Sequence, residues 1–280
     1  MADTASGYGN DCSPAGGEIT GGRRTAGVRN KVYIIERKGT EMDRFEINNI
    51  GEQIKDNAYV GRGIVIGTTP AGDKAVSAYF IMGRSENSRN RIFAKDGDEL
   101  FTRPFDESKV EDPSLIIYAA LREFGNNLIV TNGDQPDTIY DGLAGGKTFE
   151  EALATRTFEP DHPNMTPRIS GMITFGDGDF TYKLSILKSM NAEGTKSGRY
   201  YYNYEADPGL GHFIHTYKHD GNPLPTFEGE PERVAIPDSI DEFTEELWNN
   251  LNEDNKISLY VRYTDTKSGK YEDRLINKNA

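Results

Sequence analysis

Apolar and polar positions alternate in short runs over most of the chain, which predicts strands joined by tight turns. Residues 59–66 and 75–82 are β-branched and aromatic, separated by Thr-Thr-Pro-Ala-Gly-Asp, a hairpin signature. A helix is predicted over 112–125, with Asp112 as cap, Pro113 at the first position and Gly125 as stop. Residues 128–131 read as a short strand ending in Asn132-Gly133. Helices follow at 136–144 and 148–154, the second opened by a Thr148/Glu151 capping box. Runs 169–175 and 180–187 flank Gly-Asp-Gly-Asp, another hairpin turn. Further strands are predicted at 199–204, 213–217, 257–264 and 270–275. A last helix begins at a Ser239/Glu242 capping box and places Ile240, Phe243, Leu247, Trp248 and Leu251 on one face. Roughly nine strands in hairpins with two or three inserted helices give an α+β fold, helices grouped on sheet faces.

Residues 1–41 break this pattern. Residues 7–27 are rich in Gly, Ser and Thr with almost no large aliphatic side chain, the composition of a flexible extension. Six bases against five acids leave 1–41 at +1, so the remainder carries −14 of the net −13. Residues 31–37 (KVYIIER) have the composition of a short strand, and Met42 follows. The expected organisation is a flexible extension over 1–41, native or appended, and one domain over 42–280.

Composition narrows the function. The 280 residues are 35% hydrophobic before glycine is counted, and 30 glycines bring the total to about 46%. That supports a real core and excludes a disordered acidic tail. A net charge of −13 argues against nucleic acid as partner, since phosphate backbones demand a basic surface. A small phosphorylated ligand needs only two or three local cations and stays open. The acids concentrate in 228–256, ten against two bases, where they read as a solvated face. Cys12 is the one cysteine, so no intrachain disulfide forms. The N-terminus lacks an apolar signal region, and no apolar run approaches the ~20 residues needed to span a bilayer. The expectation is a soluble cytoplasmic protein without a membrane partner.

Four segments carry candidate chemistry. Gly83-Arg84-Ser85-Glu86-Asn87-Ser88-Arg89-Asn90-Arg91 offers guanidinium forks and hydroxyls suited to a phosphate monoester; the competing reading pairs its arginines with the surplus acids. Thr131-Asn132-Gly133-Asp134-Gln135-Pro136-Asp137-Thr138 sits at a strand-to-helix junction, where backbone N–H groups and Asn132 could read a heterocycle or carboxamide, or serve only as turn and cap. Residues 158–169 place Glu159, Asp161, His162 and Arg168 on a loop braced by three prolines, suited to proton transfer or to a structural Asp/Glu–Arg168 pair. His212, His215 and His219 would share a helix face and bind zinc, but their neighbours read as a strand, which sends His212 and His215 to opposite sides. No metal and no cofactor are expected. Gly61-Arg62-Gly63 with Gly67 only imitates a dinucleotide loop, and neither a P-loop nor Gly-x-Ser-x-Gly occurs.

Five motifs in order carry a resemblance: Tyr59-Val-Gly-Arg-Gly-Ile-Val-Ile-Gly, Arg84-Ser85…Asn90-Arg91, Asp112-Pro113…Tyr118, Val130-Thr-Asn-Gly-Asp-Gln-Pro-Asp-Thr138 and Met165-Thr-Pro-Arg-Ile-Ser-Gly171. Over residues 59–171 the chain resembles the archaeal-type inosine monophosphate (IMP) cyclohydrolases. Gly209-Leu-Gly-His…Gly221-Asn-Pro-Leu-Pro…Gly229-Glu230 is similar to their longer bacterial branch. The resemblance implies a four-layer α-β-β-α sandwich like that of the N-terminal-nucleophile hydrolases. It also implies closure of 5-formamidoimidazole-4-carboxamide ribotide to IMP with loss of water. Tyr118 would be the proton donor, and Glu159 or Asp161 the proton relay. Arg62, Arg84, Ser85, Asn90, Arg91, Asn132, Asp137, Thr138 and Arg168 would bind the purine nucleotide. The chain departs from the short archaeal pattern: 58 residues precede Tyr59, and the part after Gly171 is longer and more acidic. No Ser, Thr or Cys stands as a free N-terminal nucleophile, so that fold's covalent chemistry is not expected. A non-catalytic purine-nucleotide binder and a hydrolase of another substrate remain alternatives, and a homo-oligomer is left open. Protein starting at Met42 is expected to keep its thermal midpoint and activity; loss of folded protein on truncation would make 31–37 a core strand.

Overall fold

The computed structural model describes residues 45–110 and 117–279. Among these residues thirteen strands form two wholly antiparallel sheets. The first has the order β11 (Glu232–Ala235), β10 (Leu210–His215), β1 (Arg62–Thr68), β2 (Lys74–Met82), β12 (Lys256–Asp265), β13 (Tyr271–Asn277). The second runs in sequence order: β3 (Ile92–Asp96), β4 (Glu99–Arg103), β5 (Tyr118–Phe124), β6 (Asn127–Thr131), β7 (Arg168–Phe175), β8 (Phe180–Ser189), β9 (Ser197–Glu205).

Period-two alternation sorts β1 and β2 into two cores. Val65, Val76, Ala78 and Phe80 pack under α1 (Ile50–Ile54) and α5 (Ile240–Asn250), whose Phe243 and Leu247 are fully buried. Ile64, Ile66, Tyr79 and Ile81 face the other way, onto Val130, Ile169 and Leu184 of the second sheet. There the sheets approach closely: a Cβ on Gly171 would lie 2.6 Å from Ile66 Cδ1, so a larger residue would have to displace that side chain. The far side of the second sheet packs Ile129 and Met172 against α3 (Gln135–Ala144) and α4 (Phe149–Leu153). The architecture is an α+β sandwich. No helix among the described residues is long and apolar enough to cross a membrane.

One predicted helix is overturned. Residues 118–124 form strand β5, joined to β6 by a tight turn in which Gly125 adopts φ 59°. The glycine read as a helix stop is the left-handed residue of a hairpin, and Ala120 and Leu121 are consumed by the inter-sheet core. The Asp112-Pro113 start and the 31–37 strand lie outside the described residues. The hairpin β3–β4, the edge strand β11 and the short helices α1 and α2 (Glu86–Arg89) were not expected, being short and mostly polar or half-exposed.

The histidines serve the strands. His212 on β10 crosses between sheets: its ring stacks on Tyr204 at 3.6 Å, and the Tyr182 hydroxyl meets its Nδ1 at 2.6 Å. His215 Nδ1 bonds the Tyr217 carbonyl at 2.7 Å, and exposed His219 bonds the carbonyl of Asp220. Among the described residues no group of three or more His, Cys, Asp or Glu is arranged to hold a metal. Burial, and secondarily Arg233, lowers the His212 pKa to about 4. The folded protein therefore refuses a proton that the unfolded chain accepts below about pH 6.5. This contribution to stability is present above 6.5 and is lost as pH falls toward 4. The urea midpoint should drop over that window, and His212→Gln should show a shallower drop. Parallel curves for the two proteins would place the pH dependence elsewhere.

Candidate active site

The start of β1, the end of β2 and the end of β10 meet at one end of the sandwich with the start of β5, the end of β6 and the start of β7. There they enclose a cleft of about 480 Å³. Eight sequence-predicted residues line it: Arg62, Arg84, Ser85, Arg91, Tyr118, Glu159, Asp161 and Arg168.

Four do not. Asn90 receives the Asp106 N–H at 2.7 Å and donates to the Asp106 carbonyl at 2.8 Å, tying down the phosphate-type loop rather than facing the cleft. Asn132 is fully buried; it donates to Pro167 O at 3.1 Å and accepts from the Ile169 N–H at 2.6 Å. Its carboxamide aligns the start of β7, and it is not among the residues that line the cleft. Asp137, on α3, forms an ion pair with Arg122 at 2.7 Å, and Thr138 on the same helix is outside the lining. Of the junction motif only Gly133 and Asp134 reach the cleft lining.

The arginines divide by partner. Arg84 is held by Asp220 and by the Gly221 carbonyl at 2.9 Å, with its guanidinium 5.0 Å from the Tyr59 ring centre. Arg168 pairs with Asp134, which also takes Arg156; burial opposes the Asp134 charge, but the two guanidiniums outweigh it and lower its pKa. Arg62 and Arg91 differ. They are 9% and 8% exposed, neither has a carboxylate partner among the described residues, and the Nε of each makes no hydrogen bond. Burial works against the Arg62 charge, yet Tyr59, Glu159, Tyr217 and Tyr118 around it raise its pKa overall. Two buried cations that close no ion pair are chemically suited to an anion.

The carboxylates divide the same way. Asp161 accepts from the Thr166 amide at 2.6 Å and from the Thr166 hydroxyl, closing a turn. The Glu159 carboxylate has no hydrogen bond or ion pair among the described residues; it lies against Gly133, where an added Cβ would sit 3.4 Å from Oε1. The Tyr118 ring is buried at the cleft wall. Beneath it Tyr79 is fully buried, its pKa raised by burial and then by Tyr118. A free carboxylate and a phenol beside an anion site suit proton transfer on a phosphorylated ligand.

Sequence reading missed Tyr59, Tyr217 and Leu224 as lining residues, and Asp134 and Thr166 as more than motif neighbours. Tyr59 and Tyr217 stack at 5.8 Å from positions 158 apart, a meeting that no local pattern announces.

A family model described as IMP cyclohydrolase-like protein matches residues 59–268, which contain every residue of this cleft. Among curated relatives, the IMP cyclohydrolase of Methanopyrus kandleri is 35% identical over 122 residues, 42% of this chain and 60% of its own. That of Methanothrix thermoacetophila is 32% identical over 120 residues, 41% and 58%. A Methanococcus maripaludis relative of the same name is 28% identical over 157 residues, 51% and 72%. The matched regions thus span 60% and 58% of the first two relatives' length. With three quarters of its length under the family model, this chain belongs to the IMP cyclohydrolase-like family.

Proposed function

We propose that the protein closes 5-formamidoimidazole-4-carboxamide ribotide to IMP with loss of water, the last step of de novo purine synthesis. The observation that carries this is the pair of buried, partnerless arginines, Arg62 and Arg91, set beside Tyr118 and the free Glu159 in one cleft. Family membership supports it, and a cleft of about 480 Å³ is of the size that takes a mononucleotide. Arg91, with Arg84 and Ser85, holds the phosphate. Glu159 takes a proton from the carboxamide nitrogen as that nitrogen attacks the formyl carbon. Tyr118 gives its proton to the formyl oxygen, and Arg62 stabilises the charge developing between them. In the second half the hydroxyl leaves as water on the proton held by Glu159, and the formamido nitrogen returns one to Tyr118. Both protons lost with the oxygen come from the two nitrogens, so no co-reactant enters. Fixing the two ends of one molecule supplies much of the rate.

The four-layer packing of helix, sheet, sheet and helix supports kinship with the N-terminal-nucleophile hydrolases, here without a covalent intermediate. A cytoplasmic location follows from the phosphorylated substrate.

Incubation with the formamido ribotide should produce the hypoxanthine absorbance. Tyr118→Phe should lower kcat by ~10²–10⁴-fold with KM nearly unchanged. Arg91→Ala removes a charge-assisted contact worth ~1.5–3 kcal/mol and should act mainly on KM. Arg84→Ala should cost less, because Arg84 already holds Asp220. Full kcat in Tyr118→Phe would end its role as acid; IMP binding without turnover would make the protein a nucleotide binder.

A further inference from the structure

We infer that Tyr217 accepts a hydrogen bond from the carboxamide nitrogen of the substrate, its hydroxyl held in that sense by a buried chain through Thr166 to Asp161. This rests on the reading just given and adds to it the group that orients the nucleophile.

The sense of the chain follows from counting protons. Asp161, as a carboxylate, can only accept, and it takes both the amide and the hydroxyl of Thr166. The one hydroxyl proton of Thr166 is thereby used. The 2.6 Å contact between Thr166 Oγ1 and the Tyr217 hydroxyl then has one direction: Tyr217 donates. Its own proton is spent, so it has only lone pairs left for the cleft. Burial first raises the Tyr217 pKa, against the pull of Arg62 and Thr166, so the phenol stays protonated.

Each link is fixed. Tyr217 is 1% exposed, stacks on Tyr59, and is tied by its N–H to Val60 O at 3.2 Å. The Thr166 carbonyl accepts the Glu159 N–H at 2.9 Å, so the chain and the free carboxylate belong to one braced unit. A primary carboxamide carries two N–H groups. Glu159 removes one during closure; the other survives as the N1–H of the product, and Tyr217 is the acceptor set for it.

The test compares dissociation constants for IMP, which has the N1 proton, and for purine ribonucleoside 5′-monophosphate, which has a lone pair there. Tyr217→Phe should weaken IMP about ten-fold, the scale of one neutral hydrogen bond, and leave the purine nucleotide unchanged. Asp161→Asn introduces a donor that can reverse the chain, so the purine nucleotide should gain on IMP. Thr166→Ser should keep the wild-type preference, and Thr166→Val should lose it. Circular dichroism melts establish that each variant is folded. Equal losses for both ligands in Tyr217→Phe, or an unchanged IMP constant, would overturn the inference while leaving the cyclohydrolase reading intact. A wild-type protein that does not bind IMP would overturn both.

Discussion

Guanidinium charge buried without a counter-ion is the constraint around which the end of this sandwich is built. Burial works against each such charge, and Arg62 and Arg91 are both about nine-tenths buried. Their neighbours show that the arrangement is selective. Arg84 and Arg168 line the same cleft, yet each has an aspartate. Residue type is the same in all four; the supply of carboxylate differs. Among the described residues Glu159 is the one acid of the cleft left free, and it sits among the groups that raise the Arg62 pKa without closing an ion pair. A dianionic ligand would relieve the deficit, so the cost of folding the site becomes affinity for the molecule that fills it.

That deficit persists only if the surroundings cannot collapse onto it. The polar side chains around the cleft therefore fall into two groups. Asn90, Asn132, Asp134 and Asp161 have their capacity engaged by backbone, hydroxyl or guanidinium, and they hold the loops still. Arg62, Arg91, Tyr118 and Glu159 are held by the frame and, among the described residues, close no ion pair. Preorganised groups aimed at a changing charge need no rearrangement during the reaction, which is how such a site lowers a barrier.

Much of the fold was legible because turn chemistry and period-two runs are local. The pairs β1–β2 and β7–β8, helices α3, α4 and α5, and the caps at Thr148 and Ser239 lie where the sequence places them. Over 118–124 the predicted helix failed because glycine is also hairpin punctuation, and the buried run before Gly125 serves a strand equally well. In the site, charged residues in a dense motif were legible: Arg84, Arg91, Glu159 and Arg168 all reach the cleft. The two amides Asn90 and Asn132 lie outside the cleft lining. Asn90 and Asn132 sit in the same motifs, but a carboxamide satisfies backbone as readily as ligand, and only the partners across 16 and 37 residues decide which. Tyr217 was invisible because its role depends on the direction of a proton set by Asp161, a property of three side chains and not of one.

The acidic balance of the chain finds its place in the same geometry. Under the proposed function, a protein of net charge −13 would have to keep its acids away from the seat of an anionic substrate. Asp241, Glu242 and Glu245 are on the exposed face of α5, which packs on the side of the first sheet opposite the inter-sheet core. Asp241 is further occupied by Arg274, and Glu253 by Lys256. At cellular ionic strength, exposed charges more than about 8 Å apart are largely screened, whereas Arg62 and Arg91 act in a buried, weakly screened site. The local sign of the cleft therefore differs from the sign of the whole, and under the proposed function an acidic surface would keep polyanions off without weakening the hold on a small phosphate.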